Sequence, residues 1–279
     1  QYIKIVKGTD RKIIDIFQKI DTLSKCESLI CEGLQLTRLP ELPKVKKLIC
    51  SENILKRLPE IPECLELDCR DNRLKSLPKL DKCRELDCED NEIEKLPELP
   101  ECNNLECGNN KLTELPLLPN CFDLNCHHNK LKKLPNLSKC DELICYDNLL
   151  EELPNLDDCE ELDCANNNLK KLPNLPNCEE LECENNLIEE LPDLPKCEEL
   201  ECSDNKIKKL PELQNCTDLK CDNNLIEQLP ILIRLESLSC DDNPLKGYYT
   251  HYDRLQNISN SDLPKKEDYN TKSKYKIIY

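Results

Sequence analysis

A leucine recurs every nineteen residues from Leu29 to Leu238, and no compact globular fold tolerates so strict a period over most of its length. Twelve anchor leucines stand at this interval, and each is followed two residues later by a cysteine, Cys31 to Cys240. Five residues after the anchor comes asparagine in eleven units, Asn53 to Asn243, with Leu34 in the first. Leu or Ile follows at +7, then Leu at +10, Pro at +11, and Leu or Ile at +13. A second cysteine column lies three residues before the anchor in ten units. Units this short cannot bury a core alone, so they must stack on one another.

Each position has a physical role. A short strand around the anchor points that leucine inward and its neighbours outward. The asparagine side chain can bond backbone groups of adjacent coils. The remaining L-P-x-L-P stretch is too short for a helix and lacks two amide donors, so an extended return is predicted. Helices on the return side would spread it to ~10 Å per unit against ~4.8 Å for strands. An extended return nearly matches the strand spacing, predicting a gently curved array roughly 55 Å long.

The unit L-x-C-x-x-N-x-L followed by L-P-x-L-P resembles the short-repeat class of leucine-rich-repeat proteins, typified by the repeat domains of the bacterial effectors YopM and IpaH. The Cys-, Asn-, Lys- and Ile-rich wording also looks like leucine-rich-repeat proteins of giant DNA viruses. The resemblance covers 26–245 and departs in its cysteine columns. It implies a right-handed leucine-rich-repeat solenoid, with β-structure on the concave face, an extended convex face and short capping helices. Three segments are expected: an N-terminal cap (1–25), twelve repeats (26–245), and a C-terminal cap and tail (246–279). Ile13, Ile14, Phe17 and Ile20 sit at helical spacing within 11–23, where a capping helix is predicted. A second helix is expected near Asp253–Ile258, followed by a less ordered Lys265–Lys276 end; a basic docking tail is the functional alternative there.

The formal net charge is −17. Each end carries about +3, which leaves −23 on 26–245. Such a field disfavours nucleic acid and anionic membrane surfaces and favours a cationic partner. No stretch approaches the ~18–20 apolar residues of a membrane-spanning helix. The start QYIKIVKGTDRK has no signal-length apolar core, and the absence of Met is expected of a processed or trimmed product.

Chemistry is sparse. The 22 cysteines all fall in the two columns, which points to buried core thiols, with some disulfides or a metal as weaker readings. C-x-x-C spacing is absent. So many thiols imply a reducing compartment, hence a cytoplasmic location, possibly a host cytoplasm. C-x-D strings such as Cys69-Arg70-Asp71 match the nucleophile motif of IpaH-type ligases, but they recur with the repeat and their Cys should be buried. No phosphate loop or nucleophile–base set stands out, so neither an enzyme nor a cofactor is expected. His127 and His128 are read as a solvent-facing pair rather than a metal site.

Information should therefore lie on the outward strand positions. Repeats eight to ten place Glu161, Asp163, Glu180, Glu182, Glu184, Glu199 and Glu201 there, with no Lys or Arg. Within 26–245 the only aromatics are Phe122 and Tyr146, joined in adjacent repeats by Asn125, His127, His128 and Ile144. Exposed aromatics with a polar rim suggest an interface hot spot. A solvated face produced by repeat duplication, divalent-cation binding by stacked carboxylates, and incidental variation are the competing readings. The expected function is a non-enzymatic protein-interaction scaffold that binds a Lys/Arg-rich partner on its acidic concave face. The alternative is the substrate-recognition module of a ubiquitin-ligase-type complex whose catalytic part lies elsewhere.

Overall fold

A chain that returns to the same hydrogen-bonding position every nineteen residues builds a parallel ladder, and this one does. The computed structural model describes residues 2–5, 11–246 and 257–259. One 14-stranded parallel sheet runs through it with the strands in sequence order. After β1 (Tyr2–Lys4) and β2 (Ser28–Ile30), a three-residue strand recurs with every unit to β13 (Ser237–Ser239), and β14 (Asn257–Ser259) closes the series. The anchor leucines pair in register, Leu48 with Leu67 and Leu143 with Leu162 for example. None of the twelve is more than 2 % exposed.

The asparagine column holds the coils together. Asn148 Nδ2 donates to the Cys126 carbonyl of the preceding coil at 3.0 Å and to the carbonyls of Cys145 and Tyr146 in its own turn. Its Oδ1 accepts from Leu131 N at 2.9 Å. The same pattern recurs from Asn53 to Asn243. Each carboxamide thus satisfies buried backbone groups of two coils that would otherwise have no partner.

One position before this asparagine, the backbone turns left-handed in eleven coils, with φ between 48° and 56°. Nine of these residues are Asp or Asn, which tolerate that region through their short polar side chains; Glu52 and His128 are the exceptions. The first coil uses Gly33 there, at φ 67°.

The returns contain neither helix nor strand, as one or two prolines in so short a stretch dictate. Their leucines point inward and meet both cysteine columns in one continuous core. All 22 thiols are buried and none is bridged. The two columns differ. In the column before the strand each Sγ donates to a backbone carbonyl two residues on, as Cys64 does to Glu66 at 3.2 Å. A cysteine thus fills a small apolar slot and partners a carbonyl at the strand entrance, which the leucine or valine of the two exceptional coils cannot do. In the column after the anchor, burial pushes the Cys31 thiol up to about 12 and likewise raises those of Cys50 and Cys69 well above the ordinary value. Such thiols are chemically inert.

The ends extend the ladder. Helix α1 spans Arg11–Phe17 and buries Ile14 and Phe17 against the core. Strand β1, which the sequence reading did not anticipate, pairs with β2 through Ile3 and Leu29. The helix expected near Asp253–Ile258 is corrected, because Asn257–Ser259 forms β14 and pairs with β13. Asn257, Ile258 and Ser259 fall beside Ser237, Leu238 and Ser239, so one further rung outweighs local helical spacing. Residues 253–256 and the Lys265–Lys276 end lie outside the described residues.

Removing one rung of the asparagine ladder should be costly. Asn148→Ala is expected to lose about 3 kcal/mol in chemical denaturation, since several buried backbone groups lose their partner. Asn120→Ala, whose exposed amide donates to the Pro100 carbonyl and accepts from Lys139 Nζ at the surface, should cost about 0.5 kcal/mol or less. Equal losses in the two variants would refute the ladder's role.

Candidate functional site

The strands are only three residues long, so their outward side chains and those of the turn that follows form narrow rows along the solenoid axis. Row positions are one before the anchor, one after it and three after it. In a parallel sheet residues of one row face each other directly, at ~4.8 Å from strand to strand.

The row before the anchor is acidic across six consecutive strands, from Asp123 of β7 (Asp123–Asn125) through β8 (Glu142–Ile144) to β12 (Asp218–Lys220). Asp123, Glu142, Glu161, Glu180, Glu199 and Asp218 stand in register. Glu161, Glu180 and Glu199 are exposed, and among the described residues none of the six has a cation within ion-pair distance. Partial burial and then repulsion by Glu161 and Glu199 raise the Glu180 pKa. In the next row stand Asp163, Glu182 and Glu201. Glu201 is not unpaired as the sequence suggested: Lys220 Nζ from the neighbouring coil lies 2.6 Å away. Burial, opposed in part by the Ala165 amide, pushes the Asp163 carboxyl up to about 6.

The aromatic patch divides in two. His127 and Tyr146 stack with centroids 4.8 Å apart, and His128 meets both rings edge-on at 5.2 Å. Phe122, 42 % exposed, stands at the opposite end of its strand and shares no ring contact with them. Ile144 lies half-buried at the end of β8, two residues before Tyr146. The predicted hot spot is therefore a three-ring cluster plus a separate exposed phenyl group.

His127 does not face solvent; this is the second correction. Only 9 % of it is exposed. Its Nδ1 lies 2.6 Å from Asn125 Oδ1 and its Nε2 3.2 Å from Asn109 Nδ2. The arrangement fits a neutral ring that donates from Nδ1 and accepts at Nε2. Burial, and then the neighbouring His128, lower its pKa accordingly. Gly108 makes the position possible, because a Cβ there would sit 2.3 Å from the imidazole. His128 differs: it occupies the left-handed turn position, with its Nδ1 3.1 Å from Asp147.

Asn125 links the ring to a residue that the sequence reading missed. Its Nδ2 donates to Glu89 Oε1 at 3.2 Å from two coils away, and that carboxylate lies 3.7 Å from His127 Nδ1. Burial first, then Glu106, Asp87 and Asp90, raise Glu89 to about 7. Glu184, in the same row three positions after the anchor, is likewise raised to about 7 by burial, then by Glu201, Asp163 and Glu182. Its Oε2 is buried without a hydrogen-bond partner, as is the Ser203 hydroxyl of the next coil. The signal for this row was present in the sequence: Glu89, Gly108, His127, Tyr146, Ala165 and Glu184 are spaced nineteen apart. Among the described residues no group of His, Cys, Asp and Glu is arranged to hold a metal ion.

These shifts set a pH dependence. A carboxyl whose folded pKa lies above its unfolded value stabilises the fold fully below the unfolded value and loses that contribution as pH rises through the folded one. Glu89 and Glu184 move from 4.5 to about 7, and Asp163 from 3.8 to about 6. His127 acts oppositely, below its ordinary 6.5. The melting temperature is expected to fall between pH 5 and pH 8. Glu89→Gln with Glu184→Gln should flatten that decline and melt higher at pH 8; an unchanged profile would contradict the assignment.

No protein-family model and no curated protein sequence matches the chain. Solved structures do. YopM from Yersinia pestis is 29 % identical with a TM-score of 0.60, over 85 % of this chain and 84 % of that one. YopM from Yersinia enterocolitica is 28 % identical with a TM-score of 0.58, over 87 % of this chain and 66 % of its own. PEPR1, solved with AtPEP1, has a TM-score of 0.64 at 21 % identity, and this chain spans 40 % of its length. The parallel strand ladder of this chain, together with its likeness to YopM along most of its length, makes it a leucine-rich-repeat solenoid.

Proposed function

We propose that the protein is a non-catalytic docking scaffold whose strand face binds a Lys/Arg-rich protein segment. The observation that carries this reading is the row of six in-register carboxylates without cations, Asp123 to Asp218. Like charges directly opposed across strands destabilise a sheet by a few tenths of a kcal/mol or more per pair. An array that bears this cost at consecutive rungs gains most from a partner that supplies the countercharge. Long-range attraction by the acidic coils would speed the encounter, and the exposed Phe122 and the Tyr146 ring would add apolar and cation–π contact.

Fold relatives support the interaction role: PEPR1 was solved as a complex with AtPEP1, at 21 % identity to this chain. The buried, inert thiols favour a stacking role for the cysteines over a catalytic one. Twenty-two unbridged thiols also suit a reducing compartment, which we take to be cytoplasmic.

A dodecapeptide of lysine and arginine only, labelled for fluorescence anisotropy, tests the reading. Replacing Glu161, Glu180 and Glu199 together by Gln should weaken binding about tenfold or more, and high salt should weaken the wild type similarly. Relief of repulsion should make that variant at least as stable as the wild type, so the loss cannot be unfolding. Phe122→Ala with Tyr146→Ala should cost about another fivefold. Undiminished binding by the Gln variant would overturn the acidic-face assignment, and undiminished binding by the Ala variant would remove the aromatic cluster from it.

A further inference from the structure

The acidic face carries two kinds of carboxylate. The exposed row lies in water, where charge is tolerated. Glu89 and Glu184 instead flank the ring cluster in the row three positions after the anchor, and both are half-buried. Glu89 faces Asp87, Asp90 and Glu106, with Arg70 as a cation and His127 3.7 Å away. That imidazole brings no charge of its own, because both its nitrogens are already engaged by Asn125 and Asn109. Glu184 faces Asp163, Glu182 and Glu201, and its Oε2 is shut from solvent with no donor. Asn125 Nδ2 donates to Glu89 Oε1, and a backbone hydrogen bond favours the Glu184 charge. Partial burial and the surrounding carboxylates oppose ionisation, so a proton or an arriving cation adds the missing stabilisation.

We propose that docking of a cationic segment on this face is coupled to proton release, with Glu89 and Glu184 as the groups that exchange a proton for the partner's charge. The proposal rests on the docking reading above and adds its regulation. In the resting state at neutral pH, each of the two carboxyls holds its proton for part of the time, consistent with values raised to about 7. A lysine or arginine brought beside the half-buried carboxyl of Glu89 or Glu184 favours the ionised form, and the proton leaves to solvent. Gly108 belongs to the device, since only a residue without Cβ lets the His127 ring lie between the coils and bury Glu89. Binding should therefore tighten as pH rises through neutrality. The partner's own charges do not change in that range, because Lys and Arg stay protonated.

The same lysine–arginine dodecapeptide, titrated into the full chain at fixed salt, provides the test. Its affinity should rise about tenfold per participating carboxyl between pH 6 and pH 8. Calorimetry in two buffers of different ionisation enthalpy should show protons released at pH 7. With Glu89→Gln and Glu184→Gln together, the affinity should stay near the wild-type pH 6 value at both pH values. In the partner-free protein, carboxyl carbon NMR should give midpoints near 7 for the two side chains. Midpoints near 4.5, or a wild-type affinity that is flat with pH, would overturn the proton coupling while leaving the docking reading intact. Failure of the peptide to bind at either pH would overturn the docking reading, and the coupling with it.

Discussion

Buried peptide groups in a coil of nineteen residues cannot all be satisfied by strands three residues long, and the asparagine at +5 resolves that shortage. Its carboxamide has two donors and two acceptor sites, enough to reach the cysteine carbonyl of the coil before and the amides and carbonyls of the tight turns on both sides. Because each bond set spans two coils, the cost of a missing one falls on both. The left-handed residue just before it turns the chain so that the carboxamide enters the core. Everything else repeats at nineteen residues because this network does.

The core between the coils is thin, and its residues are chosen for size. Leucine or isoleucine fills the anchor, +7, +10 and +13 positions, while cysteine fills two smaller slots, the first of which takes Val45 or Leu235 in two coils. In the column before the strand the thiol has a second duty, donating to a carbonyl at the strand entrance. Burial keeps these sulfurs protonated and unreactive, so their abundance reflects packing rather than redox chemistry.

The outward rows are released from those constraints, and they depart from uniformity there. Register places like charges opposite one another at consecutive rungs, a strain that the hydrophobic interior readily outweighs. At the centre of the face three coils break the pattern: a glycine admits an imidazole, the imidazole stacks on a tyrosine, and an asparagine ties the imidazole to a carboxylate two coils before it. In this cluster contacts between side chains, rather than the backbone alone, determine the arrangement.

The ladder, the inward leucines and cysteines, the extended returns and the acidic outward row were all legible in the sequence, because each depends only on spacing along the chain and a period of nineteen converts spacing into position. The fate of the rings was not. His127 reads as a surface residue by its row, yet it is buried because its neighbour in the preceding coil is a glycine. Phe122 and Tyr146 read as one patch, yet they stand at opposite ends of their strands. Glu201 reads as unpaired until Lys220 of the following coil reaches it. Likewise the terminal strand at Asn257–Ser259 overrode local helical spacing because an open rung beside β13 was there to be filled. Period alone determined where each backbone lies; contacts between coils decided which side chains are buried, paired or charged, since burial and Coulomb energy depend on distances in space that no single repeat contains.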